Sequence, residues 1–239
     1  MNLLAIETAT ERCSVALISH GRLYTQTSDG VRKHAELLLP LVDGLLSQAG
    51  VAKSQLTAIA FGCGPGAFTG VRLACSVVQG LAFALDCPTV AVSTLAALAQ
   101  MGLDSGASAP VLALLDARMG EVYAGFYGAD RQGLAVSLYP EQLSAPDLLT
   151  LPGDDVWSVL GSGWTAQLSA LSARLGARVH PHPQVCMPDA AAIARIAMRD
   201  LKLGLGTPAE RAQPVYLRDK VAQTVLERAA TAHARAHAG

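Results

Sequence analysis

The sequence predicts an α/β protein built from two tandem copies of one unit: three strands, a helix, a strand and a helix. Three observations predict it. The same order of elements passes twice along the 239 residues. Each copy opens on a buried strand that ends in an acid at a hairpin, Glu7 in the first and Asp116 in the second. Each fourth strand runs into a glycine turn, at Gly62 and at Gly161-Ser162-Gly163. The repeat is one of element order, not of sequence identity. It divides the chain into residues 1–105, residues 106–218 and a tail over 219–239.

In the first copy, residues 3–6, 14–18 and 23–27 are short apolar runs separated by polar turns and Gly21, a strand meander. Residues 34–49 carry leucines at helical spacing and stop at Gly50. Pro40 lies inside that stretch, so the regular helix starts just before it or kinks there. Residues 56–61 form the next strand, followed by a glycine loop and a long apolar helix. Residues 88–92 are a further strand, and Ser93 caps a helix that runs to about Met101. In the second copy the strands fall at 111–115, 121–127, 134–139 and 156–160. Ser144 and Pro146 open a short helix, and residues 164–175 form an amphipathic one. Residues 190–203 are helical and 214–217 extended. The alanine-rich stretch 220–239 reads as a surface helix that frays.

Composition sets the class. Hydrophobic residues make up 51 % and charged residues 15 %, enough for a sizeable core. A net charge of −1 excludes a broad basic face that grips nucleic acid unaided. Cys13, Cys63, Cys75, Cys87 and Cys186 have no C-x-x-C spacing, the usage of reduced thiols. The N-terminus lacks a basic leader region, and the apolar stretch 71–92 is broken by Gln79, Asp86 and Pro88. The expectation is a soluble cytoplasmic protein with no membrane partner.

The glycine loop holds Gly62, Gly64, Gly66 and Gly70, with Pro65 between two of them. Free N–H groups meeting a helix dipole can hold an anion there. The same loop can seat a helix tightly on a sheet. No lysine follows the last glycine, and the spacing is not G-x-G-x-x-G, so neither known phosphate loop is matched. No G-x-S-x-G elbow and no H-E-x-x-H occurs.

Two tandem units with an acid closing each first strand resemble the actin–Hsp70–sugar kinase (ASKHA) superfamily, whose halves are RNase H-like domains. GPGAFTGVR (64–72), HAELLLP (34–40), DARMGEVYAGFY (116–127) and PVYLR (214–218) sharpen the likeness. Over residues 1 to about 218 the chain resembles the TsaB (YeaZ) family. The resemblance implies a non-catalytic subunit of the bacterial complex that threonylcarbamoylates the tRNA adenosine next to the anticodon. It implies a TsaD-like catalytic partner of the same fold and a TsaE-like ATPase, with tRNA reached through the complex. ATP then acts through the partner subunits, and no cofactor serves catalysis on this chain.

The catalytic paralogue holds metal through two histidines one helical turn apart. Here His34 has Leu38 in the second place, so no metal is expected. His180 and His182 flank Pro181, and His233 and His237 lie in the tail; both are weak ligand pairs. The resemblance places the partner face on the first two long helices. Its residues are Leu37, Leu38, Leu41 and Leu45 on the first, and Arg72, Ser76, Val77, Gly80, Leu81 and Ala84 on the second. Ser76, Gly80 and Ala84 recur every fourth residue, a row that permits close helix packing. The same face allows a homodimer. Two alternatives stay open. One is a stand-alone ATP-binding enzyme of the superfamily, with Glu7, Thr8, Thr10, Asp116, Gly161 and Gly163 as nucleotide contacts. The other is a peptidase.

Overall fold

The computed structural model describes residues 1–29, 33–184 and 187–218. The first sheet has the order β3-β2-β1-β4-β5. β1 (Asn2–Glu7), β2 (Arg12–Ser19) and β3 (Arg22–Asp29) pair antiparallel, and β4 (Ala58–Gly62) and β5 (Thr89–Val92) run parallel to β1. The second sheet repeats the plan. β6 (Val111–Arg118), β7 (Glu121–Ala129) and β8 (Ala135–Ser144) form the meander, and β9 (Trp157–Leu160) and β10 (Val179–Pro181) lie parallel to β6. Two mixed five-stranded sheets of one topology are the doubled RNase H-like arrangement of the ASKHA class.

Five layers follow from where the helices bury their apolar faces. α1 (His34–Ala49) and α2 (Phe68–Leu85) cover the outer side of the first sheet. α4 (Ser162–Ala166) and α5 (Leu168–Leu175) cover the outer side of the second. Between the sheets lie α3 (Thr94–Asp104) and α6 (Ala190–Lys202) in one shared core. Alanine dominates that layer: Ala96, Ala97, Ala99, Ala190, Ala192, Ala194 and Ala197 are all buried. Helices squeezed between two sheets have apolar neighbours on both sides, and small side chains let both sheets approach. The two middle helices are exchanged. α3 follows the first sheet in sequence and packs on β6, β7 and β8, whereas α6 follows the second and packs on β1, β2, β4 and β5.

Local chemistry agrees with most of the element boundaries. Ser93 caps α3 by accepting from the Leu95 and Ala96 N–H groups at 3.0 and 3.4 Å. Asp189 does the same for α6 through Ala191 and Ala192 at 2.9 and 3.1 Å. α1 begins at His34, before Pro40, and continues through the proline as one helix to Ala49.

Two expectations are corrected, and one strand is added. No helix opens at Ser144 and Pro146, because β8 stays paired with β7 as far as Ser144. The β7–β8 ladder shifts register near Phe126, where Pro140 and Glu141 sit on the edge strand. A proline is tolerated at such an edge irregularity. The helix expected over 164–175 is divided at Gln167 into α4 and α5. β10 goes unpredicted, since three residues that include a proline carry no periodic pattern. The tail helix, His233, His237 and Cys186 lie outside the described residues.

α2 is long and apolar enough, by length and composition alone, to cross a membrane. In this fold Val71, Ala74, Cys75, Val78 and Ala82 of that helix are buried against the sheet.

Candidate functional site

A cleft of about 870 Å³ opens between the two halves. Its walls are the β1–β2 hairpin (Thr8–Glu11), the start of α1 (His34, Ala35), the start of α2, the β6–β7 hairpin and α4. The two hairpins are built alike. Glu7 accepts the Ala9 N–H on Oε1 at 2.6 Å, and Asp116 accepts the Arg118 N–H on Oδ1 at 2.8 Å. Each acid therefore closes its own turn two residues on.

Their surroundings then diverge. Glu7 is fully buried and turned away from the cleft; Oε2 accepts a hydrogen bond from Thr94 Oγ1 at 3.2 Å. Burial lifts its carboxyl to about 7, against the lowering effect of the hydrogen bonds from Ala9 and Thr94, and Asp189 raises it further. Asp116 does line the cleft, but it is engaged by its own hairpin. Its Oδ2 pairs with Arg118 Nη1 at 3.0 Å, and Arg118 Nη2 reaches Glu11 at 3.3 Å across the mouth. Ser162 Oγ accepts the Asp116 N–H at 3.1 Å. Thr8 is buried and donates to the Gly70 carbonyl at 2.7 Å, so it too serves the fold. Thr10 lines the cleft with a buried hydroxyl that has no partner among the described residues.

The glycine loop is used up by close packing. A Cβ on Gly62 would overlap the Glu7 carboxylate, and one on Gly70 would overlap the Thr8 carbonyl oxygen. At Gly66 it would meet the Ala9 carbonyl at 2.5 Å, and Gly64 adopts φ +100° beneath the Val215 carbonyl. The loop thus seats α2 on the first hairpin, with the Ala67 N–H donating to the Ala9 carbonyl at 2.8 Å. Pro65 faces a smaller pocket on the far side of the loop. Gly161 and Gly163 do the same for α4, pressed against the backbone of Leu114 and Leu115.

The helix face expected to meet a partner is only partly available. Leu38 and Leu45, 1 % and 0 % exposed, point into the core beneath α1; they are withdrawn from that face. Leu37, Leu41, Val77 and Leu81 are half-buried at its border, and Arg72, Ser76, Gly80 and Ala84 are exposed along α2. Phe83 beside them is 71 % exposed. Gly80 has no atom within 4 Å of the position a Cβ would take, so nothing in the described chain requires a glycine there.

Two clusters escaped the sequence reading. Glu141 receives hydrogen bonds from Tyr127 and Ser93, tying β7 and β8 to the capping residue of α3. Burial pushes its carboxyl upward, and the two hydroxyls oppose that. The second cluster is Phe68, Arg72 and Tyr216, which pins the PVYLR segment to α2. Only the motif itself signalled this segment. His34 lines the cleft with Nε2 at 3.2 Å from the Glu11 carbonyl oxygen. Among the described residues no three His, Cys, Asp or Glu side chains converge.

Comparison with known proteins matches this architecture. The family model described as TsaD, tRNA N6-adenosine threonylcarbamoyltransferase, matches residues 20–151. The tRNA threonylcarbamoyladenosine biosynthesis protein TsaB of Escherichia coli K12 is 37 % identical over 232 residues, covering 93 % of this chain and 96 % of that protein. The TsaB of Haemophilus influenzae is 32 % identical over 92 % of this chain and 95 % of its own. The solved structure of YeaZ from Pseudomonas aeruginosa superposes with a TM-score of 0.83 at 44 % identity, covering 90 % of this chain and 99 % of that one. With the quoted motifs, the doubled sheets and near full-length identity in agreement, the chain belongs to the TsaB (YeaZ) family.

Proposed function

We propose that this chain is a non-catalytic scaffold in the synthesis of threonylcarbamoyladenosine on tRNA. It pairs through α1 and α2 with a TsaD-type catalytic subunit, works with a TsaE-type ATPase in the cytoplasm, and reaches tRNA through the complex. Membership of a family named for this biosynthesis supports the pathway. The observation that carries the scaffold role is the exposed α2 face around Gly80, small and free of internal neighbours. A partner of the same fold presents equivalent helices, so the same face serves a homodimer when the partner is absent.

The chemistry of the cleft supports the lack of catalysis. The acid that would hold a metal-bound nucleotide in the first hairpin is buried out of reach, and that of the second is paired with Arg118. Arg118 and Met119 turn the second hairpin at φ 62° and φ 56°, and Met119 lines the smaller pocket and not the cleft. ATP therefore acts through the partners. Among the described residues the serine–histidine contacts, Ser19 with His20 and Ser105 with His182, lie outside the cleft and give the peptidase reading no support.

Reconstitution tests this directly. With the TsaD-type and TsaE-type subunits, ATP, tRNA and a source of the threonylcarbamoyl group, modified tRNA is expected only when this chain is added. Titration of the isolated chain with Mg-ATP is expected to give no saturable heat and no turnover. Tight binding with turnover by the chain alone would overturn the scaffold role.

A further inference from the structure

Along the 18 residues of α2, Arg72 is the single charged side chain. It is exposed, yet it is not loose. Its guanidinium carbon stands 3.7 Å from the Phe68 ring centroid and 5.7 Å from that of Tyr216. Its Nε donates to the Tyr216 hydroxyl at 2.7 Å. Tyr216 is held in turn, because the Val215 N–H donates to the Cys63 carbonyl at 2.7 Å. Arg218 then anchors the segment to Glu121 at 2.7 Å and to the Ala117 carbonyl at 3.1 Å.

This arrangement fixes an arginine and leaves its business end free. Among the described residues neither Nη1 nor Nη2 has a hydrogen bond or ion pair. Ordering a long side chain costs rotamer entropy, and here that cost is met before any ligand arrives. A planar fork with two free nitrogens matches an oxyanion with two equivalent oxygens. Both a carboxylate and a phosphate fit that description. The surroundings favour the carboxylate. Ser76, Gly80 and Phe83 are uncharged, the other arginines near Tyr216 and Phe68 are already paired, Arg118 with Asp116 and Arg218 with Glu121, and the chain carries a net charge of −1, whereas an RNA backbone is gripped by several cations acting together.

We propose that Arg72 is the specificity-determining anchor of the α2 face, receiving an aspartate or glutamate side chain from a helix of the TsaD-type subunit. The inference rests on the scaffold role above and names the chemistry of its partner. Small residues such as Ser76 and Gly80 let a helix come close without fixing its register. One desolvated ion pair on an otherwise uncharged helix does fix it, because any slip strands the charge.

The test is the affinity of the purified chain for the TsaD-type subunit, measured by calorimetry. Arg72→Gln is expected to weaken binding about 30-fold, the loss typical of a hot-spot residue. Arg72→Lys keeps the charge but loses the fork, and is expected to weaken it about 10-fold. Tyr216→Phe, which frees the arginine without removing it, falls between wild type and Arg72→Lys. Wild-type binding weakens with added salt, and binding by Arg72→Gln does so less. Unchanged melting temperatures confirm that the variants are folded. Wild-type affinity in Arg72→Lys overturns the fork, and wild-type affinity in Arg72→Gln overturns the anchor. Loss of tRNA retention by Arg72→Gln with protein affinity intact also overturns it, in favour of a phosphate ligand. These results leave the α2 face standing if Gly80→Arg still blocks binding. Wild-type affinity in Gly80→Arg overturns the face and the anchor together.

Discussion

Replacing Glu7 with glutamine is expected to stabilise the chain at pH 8 by about 3 kcal/mol. The wild-type carboxyl sits at about 7 in the folded chain against 4.5 in the open one. Below 4.5 both states hold the proton, and the acid costs nothing. Between 4.5 and about 7 the unfolded chain releases its proton while the native chain keeps it. Native stability therefore falls as pH rises through that window and levels off above it. Glutamine has the same shape: its carbonyl accepts from the Ala9 N–H, and its amide donates to Thr94 Oγ1. It never ionises, so its stability profile lacks this slope. Thermal melts from pH 5 to 8.5 read the effect, since about 3 kcal/mol shifts the midpoint by roughly 6–12 °C in a chain of this size. Glu141 is raised in the same direction, so the difference between variant and wild type is the quantity to follow. Cys13 and Cys63 are pushed up to about 11 and about 12 and stay neutral across the range. Parallel profiles for the two proteins would show that Glu7 does not carry the slope. Glu7→Ala is the wrong comparison, because it strands the buried Ala9 N–H.

A carboxylate that closes a hairpin is legible in sequence; its burial is not. Glu7 and Asp116 stand at the same place in the two repeats, and local chemistry alone gives both the same turn-closing bond. What separates them is what fills the space beside the turn glycine: the Glu7 carboxylate packs on Gly62 and bonds Thr94, whereas Gly161 is pressed on the Leu114 carbonyl and leaves Asp116 outside. The strands other than β10 and the Ser93 cap are legible because period and capping chemistry are local. The periodic stripe of α1 was legible too, but a stripe does not say what it faces. Leu38 and Leu45, expected on the partner face, lie inward, under the helix. The exchange of α3 and α6 was hidden for a related reason, since an alanine-rich helix is apolar toward either sheet. The PVYLR segment carries no period at all, and its bond to Arg72 spans 144 positions in the chain.

Two glycines ten residues apart on α2 should respond in opposite ways, and the contrast separates folding from partner binding. Gly70→Ala puts a methyl group onto the Thr8 carbonyl oxygen, where both sides are backbone and neither can rotate away. Overpacking of this kind costs about 3 kcal/mol, so a lowered melting temperature and loss of soluble protein are expected. Gly80→Ala meets no atom within 4 Å and removes a flexible residue from a helix interior. The isolated chain should gain up to about 1 kcal/mol. Glycine at 80 is therefore unfavourable for the lone chain, and a helix of a second protein passing close over α2 supplies a reason to keep it there. On that account Gly80→Arg melts like wild type and no longer captures the TsaD-type subunit, while Gly80→Ala captures it more weakly than wild type. Capture is read on immobilised partner at equal concentrations of folded chain. A Gly80→Arg chain that still co-purifies with the subunit would move the interface off this helix. A Gly70→Ala chain as stable as wild type would mean that the first hairpin yields to α2, and that the loop does not set the helix's position.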